Sequence, residues 1–73
     1  MISLAVRGDF VTLTQAVKMA GLAESGGQAK HLVRSGAIRV NGEVVTQPSK
    51  KLTRGDRFGT GNGQEWLLTE VGP

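Results

Sequence analysis

The stretch from Ser25 to Gly42 constrains the fold of this chain more than any other segment. Its sequence, SGGQAKHLVRSGAIRVNG, predicts a helix that begins after Ser25, a favourable N-cap residue, and ends at Gly36. After Gly36 the apolar residues alternate as in a strand, and Asn41-Gly42 is the usual sequence of a type I′ hairpin turn. A short helix followed directly by a hairpin indicates a mixed α+β domain.

The helix that begins at Ser25 is predicted to separate a core face from a basic face. At 100° per residue, one face carries Ala29, Leu32 and Val33, and the opposite side carries Lys30, His31 and Arg34. Gly26 and Gly27 occupy the first turn, where each costs about 1 kcal/mol relative to alanine. Two explanations stay open. Bare backbone could admit a phosphate to the N–H groups of the helix N-terminus, or a glycine could pack closely against the turn at 23–25.

Local signals predict the remaining elements. Thr12 and Gln15 have the spacing of a capping box, so another helix is expected to begin after Thr12 and to end near Gly21. The other segments are a strand at Ile2–Val6, a return strand that ends before Pro48, a basic loop over Ser49–Asp56, a strand from Arg57, a turn at Gly59–Gly63 and a strand at Gln64–Val71. Together they predict a single α+β domain over residues 1–73, with two short helices packed on a small, mostly antiparallel twisted sheet.

The three aromatic residues, Phe10, Phe58 and Trp66, all lie in or beside predicted strands. We therefore expect all three in the core, because aromatic side chains at such positions are usually packing residues. A sheet with no aromatic-rich open face is poorly suited to stacking the bases of single-stranded RNA.

Positive charge is concentrated in the middle of the chain. Residues 30–57 contain seven lysines and arginines against two acidic residues, whereas the remainder contains two against four. The net charge of the chain is +3, but residues 30–57 are much more strongly basic than the remainder. An asymmetric field of this kind can steer a polyanion to one surface, although a basic surface also serves solubility.

Several functional classes are not supported by the composition. The chain has no cysteine and one histidine, which argues against a metal site, and its six acidic residues are scattered singly rather than paired for acid–base catalysis. The segment GTGNG at 59–63 lacks the ending of a phosphate-binding loop and precedes a strand. No apolar run approaches the ~20 residues of a membrane span, and the start of the chain does not have the pattern of a secretory signal. We expect a cytoplasmic protein without a cofactor.

The combination of two short helices, Val40-Asn41-Gly42 between two strands, and a later Lys51-Leu52 with Gly55-Asp56 resembles a known family. It is similar to the small RNA-binding domain named after ribosomal small-subunit protein four, the alpha-L RNA-binding motif, most strongly over residues 10–58. The segment 25–30 is similar to the short, free-standing bacterial members. The family usually has Ser-Arg and a second arginine in its second helix, and Gly26 and Lys30 stand at those places here.

The resemblance implies binding of structured RNA, ribosomal or transfer RNA-like, by a non-enzymatic domain that we expect to be a monomer. We expect phosphate contacts from a basic surface, formed by the second helix and the following loop, to supply most of the affinity. The predicted RNA-binding residues are Ser25, Gly26, Gly27, Gln28, Lys30, His31, Arg34, Arg39, Lys50, Lys51 and Arg54.

Two alternatives belong to other functional classes. The segment TQAVKMAGLAESGGQAKHL has the order helix, glycine turn, helix, which is found in DNA-binding helix-turn-helix proteins. Against this alternative, Gly26 and Gly27 would stand where a recognition helix needs side chains to contact bases. The other alternative is an adaptor whose basic surface binds an acidic protein.

Overall fold

The computed structural model describes residues 2–70 and places two helices and seven strands along them. The helices are α1, Leu13–Met19, and α2, Gly26–Arg34. The strands are β1, Ile2–Val6, β2, Val11–Thr12, β3, Arg39–Val40, β4, Glu43–Val44, β5, Lys51–Leu52, β6, Arg57–Gly59, and β7, Glu65–Glu70.

Five of the strands form one sheet in the order β1-β7-β6-β3-β4, and β2 and β5 form a separate two-stranded ribbon. Only β1 and β7 pair in parallel among the described strands, with Ile2 opposite Trp66, and the other pairings are antiparallel. The predicted α+β class, with two helices and a mostly antiparallel sheet, is confirmed.

The hairpin between β3 and β4 has the two-residue turn that Asn41-Gly42 predicts. Val40 lies opposite Glu43, and the two turn residues, Asn41 and Gly42, have φ values of 51° and 88°. Both values lie in the left-handed region that a type I′ turn requires, which is why asparagine and glycine suit these positions. Arg39 is exposed whereas its neighbours Ile38 and Val40 are buried, so the predicted alternation after Gly36 is correct.

The core lies between the helices and one face of the five-stranded sheet. Its largest fully buried side chains are Phe58, Leu13, Ile38, Leu52, Leu68, Val17 and Val33. Phe58 and Trp66, neighbours on β6 and β7, stack with ring centroids 5.7 Å apart. The prediction that Phe10 also belongs to the core is wrong, because 45% of its surface is exposed.

The segment predicted as a basic loop contains a strand. Lys51 and Leu52 form β5 and pair with β2, where Leu52 lies opposite Val11 and both side chains are buried. The loop prediction was wrong at these two residues because β5 depends on a partner about 40 positions away in the chain. Gly59, predicted to open a turn, is the last residue of β6. The predicted end of the last strand, Val71, lies outside the described residues.

Candidate nucleic-acid interface

The N-terminus of α2 is held by side chains of its own first turn. The Ser25 hydroxyl oxygen accepts a hydrogen bond from the Gln28 backbone N–H at 3.1 Å, which confirms Ser25 as the N-cap. The Gln28 side-chain oxygen accepts in turn from the Glu24 backbone N–H at 2.6 Å. This second bond was not predicted, and it differs from a capping box, in which the Gln28 side chain would accept from the Ser25 N–H.

Gly26 and Gly27 lie in the first turn of α2 with open space around them. A β-carbon added at either position would meet no atom within 4 Å beyond its own helix among the described residues. Neither glycine has a positive φ. The close-packing explanation for these glycines is therefore wrong, and neither backbone strain nor a neighbouring segment requires glycine here.

The basic face and the core face of α2 are separate, as predicted. Ala29 and Val33 are fully buried, and Leu32 is partly buried against the same core. Lys30, His31 and Arg34 are exposed. Removing a basic side chain from this helix therefore leaves the core packing in place.

An open groove of about 390 Å³ runs beside Lys30 and Arg34. We call it the α2 groove; its other lining residues are Thr12, Thr14 and Gln15 at the start of α1, and Pro48 and Ser49. The described residues that line it include two cations and no carboxylate. A concave, positively charged channel of this kind is suited to an anionic backbone.

Hydrogen bonds to α1 hold the far wall of the α2 groove. The Pro48 carbonyl oxygen accepts from both the backbone N–H and the hydroxyl of Thr14, at 3.2 and 2.9 Å. The Lys50 carbonyl oxygen accepts from the Leu13 N–H at 2.8 Å. Because these bonds use the free N–H groups of the first turn of α1, they join the segment at 48–50 to the helix that packs against α2.

The two lysines that follow Ser49 are exposed, but neither lines the α2 groove. Lys50 comes directly after Ser49 in the chain, and Lys51 lies on β5 opposite Thr12, which itself lines the groove. The structure thus brings Ser49, at the start of the predicted basic segment, to the same groove as Lys30 and Arg34, whereas Lys50 lines a different depression together with Glu43. Thr12, Thr14 and Gln15 were not predicted as site residues, because the local signal of Thr12 and Gln15 is that of a helix cap and Thr14 has none.

Two of the predicted site arginines lie elsewhere. Arg39 projects from the face of the five-stranded sheet opposite the core, where it lies beside Gly59, Gly61 and Glu65. Arg54 lines a different depression together with Val6 and Asp9. Neither arginine lines the α2 groove, and nor does His31.

Two other kinds of feature, a metal site and a membrane-spanning helix, are not found among the described residues. Within residues 2–70 no group of three or more histidine, aspartate or glutamate side chains could hold a metal ion. Neither described helix has the length and apolar character needed to span a membrane.

Comparison with known proteins identifies a matching family and a similar enzyme. Residues 4–67 match the model of the S4 domain, an alpha-L RNA-binding motif. The chain is also 38% identical, over 52 residues, to a tyrosine–tRNA ligase from Moorella thermoacetica. That match covers 71% of this chain and 13% of the ligase, so the chain spans only a small part of that enzyme's length.

Proposed function

Because the chain belongs to the S4 domain family, an RNA-binding family, we propose that it binds structured RNA through the α2 groove. The observation that carries the proposal is the position of Lys30 and Arg34. Both are exposed on α2, and both face a groove whose opposite wall, Pro48 and Ser49, leads into two further lysines. Two cations along one wall of a groove, with further exposed lysines next to its other wall in the chain, suit the closely spaced phosphates of a folded RNA backbone.

Shape rather than base sequence would supply the selectivity. Side chains read the edges of paired RNA bases poorly, because the major groove of A-form RNA is deep and narrow. The α2 groove offers lysine, arginine, serine and threonine side chains, which suit phosphates and 2′-hydroxyl groups. A ribosomal or transfer RNA fits this requirement, and the similarity to part of a tyrosine–tRNA ligase supports that class.

We propose that Gly26 and Gly27 form one end of the site. With no side chain at the first two positions of α2, a phosphate can approach the backbone N–H groups at the positive end of the helix. Ser25 and Gln28 would contribute mainly by holding that turn, since their oxygens already accept hydrogen bonds. Lys50 and Lys51 would extend the phosphate contacts, whereas Arg39 and Arg54 would reach only an RNA that extends beyond the groove.

The proposed domain acts by binding alone, as a cytoplasmic monomer. The matched part of the ligase is small, so no ligase activity is carried over to this chain. Sedimentation of the protein with and without RNA would test the monomeric state.

A filter-binding comparison tests the function. The protein is titrated against a folded RNA, a DNA duplex of the same length and an acidic protein. Preference for the folded RNA, lost in a Lys30→Ala, Arg34→Ala double variant, is the expected result. Lys18→Ala is the matched control, because Lys18 is an exposed lysine on α1 that does not line the groove. Stronger binding to DNA would favour a helix-turn-helix function, and binding only to the acidic protein would favour an adaptor.

A further inference from the structure

Phe10 is an exposed aromatic side chain with a lysine over its ring. Its surface is 45% exposed, and the Lys51 Nζ lies 4.7 Å from the ring centroid. The other two aromatic residues stack on each other inside the core. A single exposed apolar side chain needs no explanation, but an exposed ring paired with a cation is a combination that a nucleotide can use.

The β2–β5 ribbon joins this pair to the α2 groove. Val11 and Leu52 point into the core from opposite strands. Since side chains alternate along a strand, Thr12 lies on the other side of the ribbon, where it is paired with Lys51. Phe10 immediately precedes β2, and its ring contacts the same Lys51. Thr12 also lines the groove. The cationic groove therefore continues through Thr12 to Lys51 and the Phe10 ring.

We propose that Phe10 and Lys51 bind one unpaired nucleotide of the RNA that occupies the α2 groove. The base stacks on the part of the Phe10 ring that Lys51 leaves exposed, and the Lys51 ammonium contacts the adjoining phosphate. This inference rests on the proposed function. It adds that the preferred RNA has an unpaired base next to its paired segment.

The chemistry of the two side chains favours a base over other occupants. Every nucleobase presents a π-face, and stacking on an aromatic side chain contributes to binding whatever the base sequence. A lysine beside the ring places a positive charge where the phosphate of the stacked nucleotide must lie. The contact between a lysine and an exposed ring is weak, so the Lys51 ammonium can leave the ring to contact a phosphate.

The test compares two RNA probes: a short duplex with a single-stranded overhang, and the same duplex with blunt ends. Phe10→Leu should weaken binding of the overhang probe by roughly fivefold or more and leave binding of the blunt probe unchanged. Phe10→Trp should retain the affinity for the overhang. Met19→Ala is the control, because Met19 is an equally exposed apolar residue, 49% accessible, that does not line the groove.

A photocrosslink supplies a readout that does not depend on a folded variant. Iodouridine in the overhang should crosslink to Phe10 of the wild-type protein, as mapped by mass spectrometry. Equal weakening of both probes by Phe10→Leu, or a crosslink that maps elsewhere, overturns the inference while the α2 groove still binds RNA. Failure of the wild-type protein to bind either probe contradicts the proposed function itself.

Discussion

The side-chain amide of Asn41 donates a hydrogen bond to the Asp56 carboxylate, at 3.2 Å, across 15 positions of the chain. The Asn41 side-chain oxygen accepts from the Arg57 backbone N–H at 3.0 Å. The Asn41 backbone N–H donates to the Arg57 carbonyl oxygen at 2.7 Å. Asp56 also accepts from the Thr53 N–H at 2.8 Å. The Asn-Gly hairpin and the Gly-Asp turn, two separate motifs in the sequence, are thus a single hydrogen-bonded unit.

Replacing Asp56 should therefore destabilise two turns at once. We expect Asp56→Ala to lower the free energy of unfolding by about 1–3 kcal/mol, because Asn41 and the Thr53 N–H both lose a charged acceptor. Urea denaturation measures the change. A double-mutant cycle with Asn41→Ala should show a coupling energy, and additive effects would contradict a direct Asn41–Asp56 interaction.

RNA binding and folding stability should depend on different residues of the two helices. Lys30→Ala and Arg34→Ala should each weaken RNA binding with little change in the melting temperature, because both side chains are exposed and point away from the core. Leu13→Ala should instead cost ~2–5 kcal/mol of stability, since Leu13 is fully buried. Thermal melts and titrations of the same preparations provide both values. A Lys30→Ala protein that unfolds would contradict the separation.

Gly27→Ala should keep the protein folded and reduce its RNA affinity. The added methyl group meets no other segment, and alanine is the better helix former, so stability should stay equal or rise by up to about 1 kcal/mol. Affinity should fall because the methyl group obstructs a phosphate at the helix N-terminus.

Gly59→Ala is the matched control for that substitution. A β-carbon at Gly59 would collide with the Gln64 carbonyl oxygen and lie 3.2 Å from the Glu65 Cα, so this variant should lose stability by about 1–3 kcal/mol. Calorimetry measures the stability of both variants, and titration with RNA measures their affinity. Unchanged affinity in folded Gly27→Ala would remove the glycine pair from the RNA site.

RNA binding should weaken steeply with salt. If about four to six phosphates are contacted, the logarithm of the association constant should fall against the logarithm of the salt concentration with a slope between roughly −3 and −5. Arg34→Ala should make that slope shallower by about one, whereas Lys18→Ala should leave it unchanged. Titrations at several potassium chloride concentrations measure the slope. A value near zero for the wild-type protein would contradict a site dominated by phosphate contacts.

The elements that could be predicted from the sequence depend on local interactions. The capping box of α1 needs only neighbouring residues: the Thr12 hydroxyl accepts from the Gln15 N–H, and the Gln15 side chain accepts from the Thr12 N–H. The Asn41-Gly42 turn likewise depends on the φ preferences of two adjacent residues. Such preferences act over three or four positions, so a residue pattern is enough to locate both helices and the hairpin.

The candidate site was predictable only in part. The exposed cations of α2 follow from helical periodicity, because Ala29 and Val33 identify the buried face. The opposite wall of the groove cannot be predicted from helical periodicity, since it depends on the hydrogen bonds that join Thr14 to Pro48 across 34 positions.

What the sequence determined by itself was therefore each helix, the hairpin and the basic character of one half of the chain. The tertiary structure alone decided that β1 pairs in parallel with β7, that β5 forms against β2, and that Phe10 stays outside the core beside Lys51. The physical reason is the range of the interactions. Strand pairing and side-chain burial depend on partners far apart in the chain, whose approach is fixed only when the whole core packs.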